Sequence, residues 1–84
     1  MREKAKFSRC AEVLGALAAP ERLQIIRFLR EGPRNVSEIA CFLRIPPVNL
    51  SHHLTVLRTA GLIRNKRQGR FIFYSLSPNV LAGD

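Results

Sequence analysis

The spacing of apolar residues changes once along this chain, at Gly61. Before it they recur at three- and four-residue steps, and from Leu62 they alternate. Such a chain lays down helices first and a strand pair afterwards. Phe7, Cys10, Ala11, Leu14, Leu17 and Ala18 predict a first amphipathic helix over about 4–18. Pro20 suits the first turn of a second helix, over 20–31, with Glu21 at its positive end. Leu23, Ile26 and Leu29, with Ile25 beside them, are its expected buried stripe up to Gly32-Pro33. After a short extended piece, Arg34 to Val36, Ser37 is the expected cap of a third helix over 37–44, with Ile39, Ala40, Phe42 and Leu43 inward. Ile45-Pro46-Pro47 forces a break. Pro47 then opens a fourth helix over 47–60, whose inner face is Leu50, His53, Leu54 and Leu57 until Gly61 stops it. LIRNKR, the turn QG and RFIFYSL read as a hairpin over 62–76 with Gly69 at its tip, and SPNVLAGD, 77–84, as a stub. The expected class is mainly α with a small β-hairpin. Three helices leading into a basic hairpin is the order of a winged helix-turn-helix.

With 84 residues there is room for one domain, 1–84. A chain of this size buries only about 60% of its unfolded surface, so pairing with a second copy is a reasonable expectation. No apolar run is long enough to span a membrane, and MREKAKFSR leads into no signal-like apolar core, which points to the cytoplasm and to no membrane partner. Cys10 and Cys41 are too few and too far apart for a disulfide framework or a zinc knuckle, and read as reduced thiols.

Charge says more about partners. Lys and Arg exceed Asp and Glu by 14 to 6, a net of +8, which points to a polyanion. Every acidic residue except Asp84 lies at or before Glu38, whereas Arg44, Arg58, Arg64, Lys66, Arg67 and Arg70 follow with no acid among them. A solvated basic face or a patch for anionic lipid has the same composition, so position has to decide.

Both histidines stand side by side in VNLSHHLTVL, on the fourth helix. Adjacent helical side chains diverge by about 100°, so His52 and His53 cannot chelate one ion as residues four apart can. No carboxylate follows before Asp84 to orient a histidine as a general base, so no catalytic residue is assigned and an enzyme is not expected. The pattern suits a helix with two faces. His53 falls with Leu50, Leu54 and Leu57, as a core imidazole bonded to a neighbour. His52 falls outward with Val48, Asn49, Thr55 and Val56, against a bland reading of simple solvation. Asn pairs with adenine, and Ser and His bond base edges or phosphates, so Asn49, Ser51 and His52 are residue types for a major groove.

The segments LGALAAPERLQIIRFL, NVSEIACFL, LSHHLTVLRTAGLI and RQGRFIFYSL together resemble the ArsR/SmtB family of small transcriptional repressors over about Leu14 to Leu76. LSHHLTVLRTAGLI is similar to the family's recognition helix and is the most specific match. The resemblance implies a homodimer that binds double-stranded DNA at an operator near its own promoter, often released by an inducer. Carried over residue by residue, it implies DNA contacts from Val48, Asn49, Ser51 and His52, with Thr55 on the same face, and backbone contacts from Arg67 and Arg70 in the wing. Phe7, Cys10, Leu14 and Leu17 are the expected dimer interface, against the alternative that this stripe is used up in the domain's own core.

Two departures from the family pattern stand out. Members often open the recognition helix with a Ser-Gln pair, where Pro46-Pro47 here removes two side-chain hydrogen bonds and two backbone donors. Arsenic- and cadmium-responsive members carry Cys-x-Cys in the third helix, where this chain has Val36-Ser37-Glu38, and the His and acidic ligands of zinc- and nickel-responsive members lie on a C-terminal helix beyond this sequence. No metal site and no cofactor is therefore expected. Two other readings stay open: a winged helix that binds an acidic protein through the same surface, and a repressor responding through the thiols of Cys10 and Cys41, which as a bland alternative are inert fillers.

Overall fold

A computed structural model describes the backbone of residues 2–78 and the side chains of residues 9–78. Four helices and three strands follow in the order α1 (Arg2–Ala16), α2 (Pro20–Leu29), β1 (Arg34–Asn35), α3 (Val36–Leu43), α4 (Pro47–Thr59), β2 (Ile63–Gln68) and β3 (Phe71–Leu76). The first helix thus stops two residues short of the expected Ala18. The expected stub lies, from residue 79 on, outside the described residues.

The short extended piece turns out to belong to the sheet. β1 pairs antiparallel with β3 through Arg34↔Tyr74 and Asn35↔Phe73, giving the strand order β1-β3-β2. The expected two-stranded hairpin is therefore a three-stranded sheet with β3 in the middle, and β1 ties the wing to the start of α3. Ile63 pairs with Leu76, and both are buried; this end of the hairpin enters the core while its far end stands free.

One apolar cluster holds the domain together: Ala16, Ile25, Leu29, Ile39, Ala40, Leu50, Leu54, Leu57, Ala60, Ile63 and Leu76. Of the expected inward residues, two are corrected. Leu23 is exposed because the buried stripe of α2 is centred on Ile25 and Leu29, one turn apart; Phe42 is 53% exposed because Ile39 and Ala40 take the inner face of α3. The cap of α3 is likewise Asn35 rather than Ser37. Asn35 Oδ1 accepts from the Glu38 backbone N–H at 2.9 Å, and Glu38 Oε1 accepts from the Asn35 backbone N–H at 3.0 Å, a reciprocal box that leaves Ser37 exposed in the first turn.

Both ends of α4 are set by local chemistry. Pro46 takes the cap position and Pro47 starts the helix without a side-chain cap bond. At the other end Gly61, at φ 79°, lets its own N–H reach the Arg58 carbonyl at 2.9 Å and the Leu62 N–H reach the Leu57 carbonyl at 3.0 Å. This pair of bonds is a Schellman termination, and it turns the chain directly into β2. No helix among the described residues is long and apolar enough to cross a membrane.

Candidate nucleic-acid interface

The inner face of α4 is fixed by Leu50, Leu54 and Leu57, all buried. With those three against the core, helical geometry turns Val48, Asn49, Ser51, His52 and Thr55 to solvent together, and all five are exposed, Val48 at 78%. Val56, grouped with them by sequence, is half-buried against the core instead. His53 is half-buried as expected, but its Nδ1 is buried with no hydrogen-bond partner among the described residues, so the expected bond is not made there. The His52 and His53 ring centroids are 5.8 Å apart and tilted by 57°, so the two rings point to different surroundings.

The wing projects from the end of this helix. Its loop is Gly69-Arg70, since Gln68 still pairs with Phe71; the tip lies one residue later than the Gln68-Gly69 turn expected from sequence. Gly69 has φ 63° whereas Arg70 is not in the positive-φ region, the Gly-first pattern of a type II′ hairpin turn. Arg70 thus sits in the tip, and Arg67 is held beside it by a bond from its Nε to the Gly69 carbonyl at 3.2 Å. Register divides the other cations. Arg67, opposite Ile72, shares the face of Ile63 and Leu76, which enters the core, whereas Arg64 and Lys66, opposite Ser75 and Phe73, lie on the reverse face.

Two further positions, named in the sequence only as a basic residue and as a helix cap, were not assigned to the interface there. Arg44, exposed at φ 59°, occupies the turn between α3 and α4 and is the one non-glycine residue at positive φ among those described. Ser37, released from the capping role, lines a cleft with Asn35, Val36, Arg70, Phe71 and Ile72, where the start of α3 meets the wing tip. The signal for the second was present: Asn35 three residues before Glu38 is itself a capping-box pattern.

Of the stripe assigned to a dimer, Cys10 and Leu14 are exposed, the latter at 69%, and Leu17 is half-buried against the core; the side chain of Phe7 lies outside the described residues. Ala16 alone of the buried cluster comes from α1, so most of the described length of this helix is not spent on the core. Cys41 is exposed too, which removes the reading of both thiols as buried fillers. Among the described residues no three His, Cys, Asp or Glu side chains come together as a metal site would need.

Residues 19–65, which run from the start of α2 into β2, match the family profile described as bacterial regulatory protein, arsR family. The chain belongs to the ArsR family. It is 42% identical over 71 residues to the HTH-type transcriptional repressor SmtB of Mycobacterium tuberculosis, a match covering 84% of this chain but 53% of that protein. It thus spans about half the length of that relative. The transcriptional repressor SdpR of Bacillus subtilis is 38% identical over 69 residues, 82% of this chain and 77% of its own. Among solved structures, the homodimeric winged helix-turn-helix DNA-binding domain of Mb0332 from Mycobacterium bovis, described as a possible ArsR-family regulator, superposes with a TM-score of 0.91 at 32% identity, covering 98% of this chain and 76% of that one. The fold is accordingly a winged helix-turn-helix, and α3 and α4 are its helix pair.

Proposed function

We propose that this ArsR-family chain is a transcriptional repressor that works as a homodimer on double-stranded DNA, with α4 in the major groove and the wing on the backbone. The observation that carries the reading is the division of α4: Leu50, Leu54 and Leu57 are buried, and Val48, Asn49, Ser51, His52 and Thr55 are presented together beside an acid-free set of cations. Asn49, Ser51 and His52 supply directional donors and acceptors for base edges and the adjacent backbone, Val48 supplies an apolar contact for a thymine methyl, and Thr55 extends the same strip. Arg67 and Arg70 at the tip, with Ser37 and Arg44 nearby in the chain's own DNA-facing elements, supply phosphate contacts. The reading is of a DNA-binding protein and not an enzyme, acting on its operator in the cytoplasm.

The test is a binding titration with a duplex from the protein's own promoter region and a random duplex of equal length, each at several salt concentrations. The reading expects a preference of 10³-fold or more, as an order of magnitude for specific regulators, that persists as salt rises. Equal affinities that vanish together at moderate salt would instead fit the surface binding an acidic protein. The exposure of both Cys10 and Cys41 favours a second reading, in which oxidation adjusts repression. Operator affinity that changes under mild oxidant in the unmodified protein, but not when both cysteines are replaced by serine, supports it; the same affinity throughout removes it.

A further inference from the structure

Outside the residues assigned to DNA, α2, β1 and α3 build a column of planar groups. The Arg34 guanidinium carbon lies 4.5 Å from the centroid of the Phe28 ring, and the Phe28 and Phe42 rings are stacked at 4.1 Å with 1° between their planes. Two groups that close to one centroid occupy its opposite faces, so the order is Arg34, Phe28, Phe42. One end of the column is finished: Arg34 also reaches Glu31 and Glu38, at 3.8 Å each. The other end is not. Phe42 remains 53% exposed and borders an open groove of about 600 Å³, together with Gln24, Arg27, Phe28, Arg30 and Glu31.

We propose that this groove is a binding site for a small planar aromatic anion, whose ring extends the stack on Phe42 and whose carboxylate or similar group meets Arg27 and Arg30. The volume falls within the range of small-molecule sites, about 300–1,000 Å³. Packing alone does not call for this arrangement, because Ile39, Ala40 and the half-buried Leu43 already join α3 to the core. Charge selects the ligand's sign. Glu31, the one carboxylate of the lining, is paired to Arg34, whereas Arg27 and Arg30 are exposed and have no ion pair among the described residues. Planarity follows from the stack, since an aliphatic group of equal size loses the ring–ring geometry that Phe28 and Phe42 already display. Gln24 adds a donor and an acceptor at the rim. The site stands apart from the DNA reading, and its test uses no DNA.

The experiment titrates 2-naphthoate into the unmodified chain by calorimetry and by amide NMR, with cyclohexanecarboxylate and 2-naphthalenemethanol as the non-aromatic anion and the neutral aromatic. A dissociation constant of about 1 mM or tighter is expected for a ligand of this size, with shifts centred on Gln24, Phe28 and Phe42 and at least tenfold weaker binding of both controls. Phe42→Leu, which keeps apolar bulk and loses the ring, and Arg27→Gln combined with Arg30→Gln should each weaken naphthoate about tenfold or more while the melting temperature holds. No saturable binding, shifts elsewhere, or equal binding of cyclohexanecarboxylate would overturn the proposal. So would preferential capture of an acidic peptide carrying one tryptophan where naphthoate fails, which would make the groove a protein contact.

Discussion

Arg44 carries a local cost that a glycine would not. It holds φ 59° at the end of α3, where its N–H bonds the Ala40 carbonyl and the Ile45 N–H reaches the same carbonyl at 3.2 Å. This is a glycine's position, since a Cβ in the left-handed region is strained by about 1 kcal/mol. Arg44→Gly should therefore raise stability to chemical denaturation by up to about 1 kcal/mol, offset in part by the greater entropy of glycine in the unfolded chain. If the same variant also binds every duplex more weakly, the arginine is kept for its charge in the turn rather than for its conformation. Asn35 is the opposite case, a residue whose side chain stabilises its element. Asn35→Ala loses the bond to the Glu38 N–H and keeps the backbone N–H from which Glu38 Oε1 accepts, so thermal denaturation should show a loss of about 1 kcal/mol, within 0.5–2. Ser37→Ala, which touches no cap, should leave the melting temperature nearly unchanged.

Among elements, α1 is the one whose sequence promises more than a single chain uses. Leu14 is 69% exposed on a helix from which, among the described side chains, only Ala16 joins the buried cluster, so Leu14→Glu should leave the fold intact by circular dichroism and shift sedimentation from dimer to monomer. An unmodified protein already monomeric at about 10–100 μM would remove the dimer from the account. The starts of α2 and α4 and the end of α4 were legible because Pro20, Pro46-Pro47 and Gly61 leave the backbone few choices, and the outward set on α4 was legible because three leucines fix where the other side points. Less was visible where two residues competed for one role. Ile25 and Leu23 both fit a helical stripe, and only packing against the sheet and α4 selects Ile25. Phe42 looked buried because it is large and apolar, but on the two turns of α3 Ile39 and Ala40 already cover the inner face, leaving the ring to stack on Phe28. In the wing, the face each cation presents depends on whether Leu62 or Ile63 begins the buried series, and a one-residue change would exchange Arg67 with Arg64 and Lys66. The two residues of β1 are too short a strand for any periodicity to reveal.

For the whole molecule, fold and charge converge on one surface. A net charge of +8, with no acid between Glu38 and Asp84, favours a polyanion on the α4 and wing half, while on the proposed reading the directional groups on α4 tell one sequence from another. In a twofold dimer the two copies of α4 would enter successive major grooves about 34–36 Å apart, which predicts an inverted-repeat footprint. The measurement that bears most directly on this division compares operator and random duplex across a salt series for two pairs of variants. Asn49→Ala and His52→Ala should each cost about 1–3 kcal/mol on the operator for a base contact, with little change on random DNA, so that preference narrows. Arg67→Ala and Arg70→Ala should each weaken both duplexes alike and reduce the logarithmic salt slope by about one. The reverse outcome, with preference lost in the wing variants and only salt-dependent affinity lost in the α4 variants, would mean that the wing reads the bases and that α4 does not lie in the major groove.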